Sequence, residues 1–462
     1  MFSTPGYLYL GTSGQGTLTI NNGGVVSNGS GSVGWSTSGT GSVTVTGSGS
    51  QWNNSGLVDV ANGTLTLSSG GSGASTGGLI VGDYNGASTM TLRDSTTHWT
   101  NTSGSVGVGV ASGTGVLNVQ SGATFSNAGD VTVGQYGTGT LNVQSLATFS
   151  NTGDVTVGLN GTGTLNVQGA ATFSNTGNLL VGASGTLAIS DGGVVTVLGP
   201  AGSQSAPMGS SGVAIIGRQG TGIMDVQNGA TFSVAGDLTI GQSGAGKLTI
   251  AGGAHVNDVN ANVGLLSGFG TVTVSGSGSQ WNNSGGVFVG GGGQGSVLLQ
   301  AGASGQSGNG LDIGVGPSAI ADMTLTGTGS TWTNAGGSVL VGDLGTGNLN
   351  VQNGATFSAS GDLILGGSGT GVLNVDTGGS GRSESLLIGE GSGSSGIIKL
   401  FGPTSEWINE GSTTIGVKGN GAIFVGNGAS FSNGFDLFDL FTVGGSGSGT
   451  LSVTGGGPSV PI

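Results

Sequence analysis

Residues 113–127 read GTGVLNVQSGATFSN, residues 137–151 read GTGTLNVQSLATFSN, and residues 161–175 read GTGTLNVQGAATFSN. The three copies follow one another at a spacing of 24 residues, which is also the spacing of Leu117, Leu141 and Leu165. A constant period of this length is typical of a solenoid or of a ring of repeated blades. The fold of the chain is therefore expected to follow from the structure of one repeat.

The repeat extends over almost the whole chain. A short apolar–polar–apolar segment, usually preceded by glycine, recurs 18 times. Its first residues are Leu18, Val43, Leu65, Met90, Leu117, Leu141, Leu165, Leu187, Met224, Leu248, Val272, Val297, Met323, Leu349, Leu373, Ile398, Ile423 and Leu451. The interval from Leu187 to Met224 is the longest, at 37 residues, and predicts a loop insertion near residues 199–212.

Hydrophobicity within a repeat alternates with a period of two, as in half-buried strands. Leu117 and Val119 are predicted to point inward and Asn118 outward, and Gly, Asn, Ser and Asp separate three such strands per repeat. This pattern predicts an all-β parallel β-helix of about 18 coils of roughly 24 residues each, forming one continuous domain over residues 1–462. A β-propeller, the main competitor, needs about 40–50 residues per blade.

The amino-acid composition limits the classes of partner that this chain is expected to bind. Glycine supplies 109 of 462 residues, there is no cysteine, and 20 acidic residues against six basic ones give a formal charge of −14. The excess of acidic residues argues against nucleic acids and anionic membranes as partners, because both are negatively charged. No apolar run approaches the length of a membrane-spanning helix, so no direct membrane insertion is expected.

The repeat resembles those of a known group of exported proteins. The string from Gly137 to Gly158 is similar to repeats of bacterial autotransporter (type V secretion) passenger regions and of PEP-CTERM-associated proteins. Val272 to Gly285 resembles the tryptophan-bearing form, and Val43 to Gly56 matches it at 13 of 14 positions. The resemblance implies a right-handed β-helix that is secreted or exposed on a Gram-negative cell, at the outer membrane in the full-length protein. Because no signal peptide, translocator barrel or sorting signal is recognisable, we expect this chain to be a fragment of a longer exported protein.

Aromatic residues followed two positions later by asparagine are the most regular candidate binding feature. The tryptophans are Trp52, Trp99, Trp281, Trp332 and Trp407, and the asparagines are Asn54, Asn101, Asn283, Asn334 and Asn409. Phenylalanine occupies the same place in Phe125-Ser126-Asn127. The interchange of the two ring types favours an interior aromatic ladder, with Asn closing the following turn. The alternative is an outward strip of rings that stacks on sugars.

An acidic residue recurs in the pattern Gly-Asp-apolar, at Asp130, Asp154, Asp237 and Asp362, with Asn178 in its place once. Stacked carboxylates repel one another unless they are neutralised, so calcium is one hypothesis. The tandem calcium-binding nonapeptide is not present, however. Aspartate that hydrogen-bonds its own backbone in a turn is the simpler interpretation. We assign no metal or cofactor site.

Catalysis is not expected. His98 and His255, the two histidines, have no second His or Cys nearby in the sequence. The six basic residues are scattered at Arg93, Arg218, Arg382, Lys247, Lys399 and Lys418. The long interval has no titratable side chain between Asp191 and Arg218, which favours recognition over chemistry. A polysaccharide-acting β-helix enzyme is therefore the least favoured reading, and no catalytic residue is assigned.

The sequence thus predicts a non-catalytic, adhesin-like passenger rod that displays a binding surface away from the cell. Host or matrix glycans or proteins are the expected partners. A structural stalk or a biofilm-matrix protein is the alternative. Exposed edges of the end coils predict end-to-end self-association.

Overall fold

The architecture is that of stacked three-stranded turns. A computed structural model describes residues 1–35, 38–84, 86–199, 212–434, 436 and 439–455. The described residues form strands joined by turns, and none of them forms a helix that could cross a membrane. They divide into two compact units, Met1–Gly236 and Asp237–Ile462, which we call unit 1 and unit 2. Each unit is built from a repeated series of one long, one middle and one short strand.

The long strands carry the 18 predicted segments. In unit 1 they are Gln15–Ile20, Thr40–Thr46, Gly63–Ser68, Ala87–Arg93, Thr114–Gln120, Thr138–Gln144, Thr162–Gln168, Ser184–Ser190 and Thr221–Gln227. In unit 2 they are Ala245–Ala251, Phe269–Ser275, Gln294–Gln300, Ile320–Thr326, Thr346–Gln352, Thr370–Asp376, Ser395–Phe401, Asn420–Gly426 and Ser448–Thr454. Each predicted segment begins inside one of these strands, so the repeat assignment is confirmed.

The middle strands are mostly four residues long. In unit 1 they are Gln51–Asn54, Ser72–Ser75, His98–Asn101, Thr124–Asn127, Thr148–Asn151, Thr172–Asn175, Val194–Val197 and Thr231–Val234. In unit 2 they are His255–Asp258, Gln280–Asn283, Ser304–Ser307, Thr331–Asn334, Thr356–Ala359, Ser380–Ser383, Glu406–Asn409 and Ser430–Asn433. The aromatic-x-Asn motifs fall within them.

The short strands have three residues. In unit 1 they are Val58–Val60, Leu79–Val81, Val106–Val108, Val131–Val133, Val155–Val157, Leu179–Val181 and Ala214–Ile216. In unit 2 they are Leu238–Ile240, Ala261–Val263, Val287–Val289, Leu311–Ile313, Val339–Val341, Leu363–Leu365, Leu386–Ile388, Thr413–Ile415 and Phe441–Val443. Two longer strands at the start of unit 1, Phe2–Leu10 and Val25–Val33, combine a middle and a short strand.

Equivalent strands of successive turns pair in parallel and in register. Leu117 lies beside Leu141, which lies beside Leu165, and all three are fully buried. Phe125, Phe149 and Phe173 form a second ladder, with ring centroids 4.7 and 5.1 Å apart. Blades of a β-propeller are antiparallel, so this pairing excludes that fold and confirms the parallel β-helix. The right-handed sense of the helix stays a prediction.

Glycine is required where the short strand ends. Gly134 follows Val131–Val133 with a φ of +73°, and a Cβ there would collide with the carbonyl oxygen of Thr162 in the next turn. Only glycine adopts this backbone conformation at no steric cost. The corner between the short strand and the next long strand is therefore tight, and the residues after the glycine project from it.

The insertion predicted near residues 199–212 lies between the strands Val194–Val197 and Ala214–Ile216. Residues 200–211 of it lie outside the described residues. The single continuous domain over residues 1–462 also stays a prediction, because units 1 and 2 are described separately.

Candidate binding surface

The five tryptophans of the aromatic-x-Asn motif lie inside the turns. Trp52, Trp99, Trp281, Trp332 and Trp407 are at most 1% exposed. The interior ladder is confirmed, and a sugar-binding strip on these rings is ruled out because no ring face reaches solvent.

A glycine separates the paired tryptophan rings. Gly73 lies in register between Trp52 and Trp99, whose ring centroids are 6.5 Å apart. A Cβ at Gly73 would overlap the Trp99 ring. Gly305 stands in the same relation to Trp281 and Trp332. The indoles of Trp99 and Trp332 therefore occupy the space of their own turn and part of the preceding one.

Asn101, Asn334 and Asn409 close the turn, as predicted. The prediction is wrong for Asn54 and Asn283, whose Nδ2 atoms donate to carbonyl oxygens of the next turn. Asparagines at the same position also form a ladder. The Nδ2 of Asn127 donates to the carbonyl oxygen of Gly129, at 2.7 Å, within its own turn. The same Nδ2 donates to Oδ1 of Asn151 in the next turn, at 2.7 Å, and Asn151 donates to Asn175 at 2.8 Å. Both amide hydrogens of Asn127 and Asn151 are thus used, which satisfies a buried polar group in each of these turns.

An acidic residue, Asp258, takes the place of asparagine in one turn of unit 2. It occupies the Asn position beside Asn283 and is 5% exposed. Its Oδ2 accepts a hydrogen bond from Nε1 of Trp281 at 3.0 Å, whereas its Oδ1 and the Oδ1 of Asn283 have no partner among the described residues. Burial raises the pKa of Asp258 to about 8, against the lowering effect of the Trp281 hydrogen bond. Val256 stands where the motif has its aromatic ring, so the aromatic-x-Asn pattern does not reveal this site.

Asp130, Asp154 and Asp237 hydrogen-bond the next turn rather than their own backbone, so for these three residues that part of the prediction is wrong. Oδ1 of Asp130 accepts from the backbone N–H of Asp154 at 2.9 Å, and Oδ1 of Asp154 accepts from that of Asn178 at 2.8 Å. Aspartate and asparagine both supply this acceptor, which explains why they interchange. Across the described ranges, no group of three or more His, Cys, Asp or Glu side chains could hold a metal ion.

The two histidines belong to different units, and Arg382 makes surface contacts within unit 2. His98 is in unit 1 and His255 in unit 2, where Nδ1 of His255 is 3.1 Å from Oε1 of Gln280. Arg382 donates to Oγ of Ser358 at 2.8 Å and lies 3.7 Å from Glu410 in an exposed ion pair. These contacts join neighbouring turns on the surface.

Exposed aromatic rings lie elsewhere, at the start of unit 1. Trp35, the sixth tryptophan, is 53% exposed, and Tyr7 and Tyr9 are 68% and 43% exposed. The rings of Tyr7 and Tyr9 are stacked with centroids 5.6 Å apart, and Tyr9 meets Trp35 edge to face at 5.3 Å. The sequence signal was available, since Trp35 is the one tryptophan without Asn two residues later.

An acidic pair lies beside these rings. Asp59 is the central residue of Val58–Val60 and lies in register with Ser32, which is in register with Tyr9. Oδ1 of Asp59 and Oγ of Ser32 are buried without a partner in the described part of the chain. Burial, and secondarily the charge of Asp83, raise the pKa of Asp59 to about 7.

A second acidic pair has the same placement in unit 2. Asp312 is central in Leu311–Ile313, and Asp343 follows Gly342 one turn later, as Asp83 follows Gly82. Burial, and secondarily the charge of Asp343, raise the pKa of Asp312 to about 6. Leu344 stands where Tyr84 stands in unit 1, so this pair has a different neighbour.

Known proteins offer a structural likeness to this chain but no family match. The chain matches no known protein-family model and none of the curated proteins. Among solved structures it is similar to the crystal structure of a TibC-catalysed hyper-glycosylated TibA fragment, at 14% sequence identity and a TM-score of 0.20. That match covers 98% of this chain and 100% of the fragment. At this TM-score the likeness carries no argument, so membership of a family stays a prediction.

Proposed function

We propose that this chain is an adhesin-like passenger of an exported bacterial protein, which presents a non-catalytic binding surface outside the cell. One observation carries the proposal: the turn interiors are nearly constant, whereas the corners after the short strands vary. Leu117, Leu141 and Leu165 repeat inside, while the corner residues Asp83 and Leu159 differ in charge and size. A constant scaffold with variable projecting residues suits recognition.

Export to the cell surface or medium of a Gram-negative bacterium is supported by the resemblance of the repeats to autotransporter passengers and PEP-CTERM-associated proteins. The absence of cysteine is compatible with a chain that is exported without disulfide formation. Host or matrix glycans or proteins are the proposed partners.

A structural stalk or biofilm-matrix protein is the second candidate. It is favoured by the outward ladder in which Asn166 donates to Asn142 and Asn142 to Asn118, both at 2.8 Å. Such a ladder uses outward side chains to join turns instead of presenting them to a partner. Saturable binding to a target would separate the two candidates.

The test is adhesion by the whole purified chain. Beads coated with the folded chain are expected to bind host cells or matrix-coated surfaces saturably, in competition with the free chain. Beads coated with the same chain after denaturation are the matched control. Binding that does not saturate, or that survives denaturation, would remove the adhesin proposal and leave the stalk.

A further inference from the structure

The exposed tyrosines and tryptophan of the chain gather on one edge of unit 1. Tyr7 and Tyr9 lie on the strand Phe2–Leu10, and Trp35 follows Val25–Val33. Tyr84 and Tyr136, 62% and 65% exposed, occupy the corners after Leu79–Val81 and Val131–Val133. We call these five residues the aromatic edge. All four tyrosines of the sequence belong to it, whereas five of the six tryptophans are interior.

The spacing along the edge is regular. The corners that carry Trp35, Tyr84 and Tyr136 are each separated by two turns. Because neighbouring parallel strands lie about 4.8 Å apart, these corners recur about every 10 Å along unit 1. The intervening corners contain small or polar residues, including Ala61 and Ala111. Aromatic corners that recur at a constant spacing fit a ligand that itself has a repeating unit.

The acidic pair Asp59 and Asp83 lies between these rings. Ser32 pairs with Tyr9 in the preceding turn and with Asp59 in the following turn, so Asp59 lies two turns from Tyr9 on the same side of the sheet. Tyr84 follows Asp83 directly. Oδ1 of Asp83 accepts the backbone N–H of Tyr84 at 2.9 Å. Asp59 is 9% exposed with an unpartnered Oδ1, and Ser32 next to it is 4% exposed with an unpartnered Oγ. A buried carboxylate without a counter-charge favours an approaching cation.

From these contacts we infer that the aromatic edge binds an amine-bearing glycan. Sugar rings stack on Tyr9, Trp35 and Tyr84, and a protonated amine is held by the carboxylate of Asp83 and donates to the unpartnered Oδ1 of Asp59, which accepts a hydrogen bond in either protonation state. Aromatic faces also attract the cation directly. This inference rests on the proposed adhesin function, because it names the partner class of that surface.

Other ligands fit less well. A nucleic acid also stacks on aromatic rings, but it needs a positively charged groove, and acidic residues adjoin these rings. A protein partner of ordinary affinity buries about 800 Å² on each side, and a narrow row of aromatic corners separated by corners with small residues is a poor fit to such a footprint. An extended chain of sugars needs only a row of exposed rings along one edge of the unit.

The test compares soluble hexamers that share one backbone and differ in the amine. The full chain is titrated calorimetrically with a glucosamine hexamer, an N-acetylglucosamine hexamer and a glucose hexamer, all β-1,4-linked, at a pH where the amine is protonated. We expect the glucosamine hexamer to bind at least about tenfold more tightly than the other two. Equal affinities, no binding, or equally tight binding of hexalysine would overturn the inference.

Variants locate the site. Tyr9→Ala with Trp35→Ala is expected to weaken glucosamine-hexamer binding by about tenfold or more, and Asp83→Asn to abolish the preference for the amine. Asp343→Asn, at the equivalent acidic pair of unit 2, is the matched control and is expected to leave binding unchanged. Far-UV circular dichroism and thermal unfolding check that each variant folds, which is expected because the replaced rings are exposed.

The outcomes also separate this inference from the proposed function. If the Tyr9→Ala/Trp35→Ala variant still adheres to cells but the wild type does not distinguish the hexamers, the glycan inference fails and the adhesin proposal stands. If the hexamer preference is found but coated beads do not adhere, the site is real and the adhesin proposal fails.

Discussion

Replacing Asp258 by asparagine is expected to stabilise the protein and to make its stability less dependent on pH. An asparagine there would restore the arrangement seen in unit 1, where Trp52 Nε1 donates to Asn28 Oδ1 at 2.8 Å and Asn28 Nδ2 donates to Asn54 Oδ1 at 2.7 Å. Asp258 reproduces the first of these hydrogen bonds with Trp281, but once ionised it has no hydrogen to donate to Asn283 Oδ1.

The sign of the pH effect follows from the raised pKa. The pKa of Asp258 is about 8 in the folded protein and 3.8 as the ordinary value, so folding takes up a proton between these two pH values. The stability of the wild type therefore falls as pH rises from about 4 to 8. At 1.36 kcal/mol for each unit of pKa shift, the full effect is on the order of 5 kcal/mol, an upper limit if this turn opens locally.

The assay is chemical and thermal unfolding of wild type and Asp258→Asn, followed by tryptophan fluorescence at several pH values between 4 and 8. Above pH 7 the variant is expected to unfold at a higher denaturant concentration, with a flatter pH profile. Asn28→Asp is the matched control, since it should introduce the same loss of stability with rising pH into unit 1. Parallel pH profiles for wild type and Asp258→Asn would refute the reasoning.

Three further predictions follow from the ladders. Gly73→Ala should destabilise unit 1 by about 1–3 kcal/mol through overlap with a buried indole, whereas Gly14→Ala, with open space around its Cβ, should not, as thermal unfolding will show. Asn127→Ala should cost about 1–3 kcal/mol in denaturant unfolding because it leaves buried amide partners unpaired; an unchanged midpoint would contradict the ladder. Deleting residues 138–161, one whole turn, should leave a folded β protein by circular dichroism, whereas deleting residues 138–149 should abolish folding, because it brings non-equivalent strands into register.

Periodicity and alternation were sufficient to predict the strands, their stacking and the interior. The 24-residue spacing of Leu117, Leu141 and Leu165 sets which residues pair, since in-register stacking brings identical positions together at every turn. Phe or Trp recurs two residues before Asn127 and its equivalents, which indicated a buried slot. A solvent-exposed position would not be restricted in this way to an aromatic ring, because no neighbour constrains it. These features are properties of the repeat, so a single sequence contains them many times over.

The environments of individual side chains followed from the folded structure instead. Asp130 accepts a hydrogen bond from the next turn, burial raises the pKa of Asp258, and Oδ1 of Asp59 has no partner among the described residues. Each depends on residues about one period or more away in the sequence, and Asp59 and Asp258 stand at single positions where the repeat is broken. A repeat pattern read from the sequence averages over single residues that depart from it. Hydrogen bonding and desolvation, by contrast, act on individual atoms. The candidate binding chemistry of this chain lies at such departing residues.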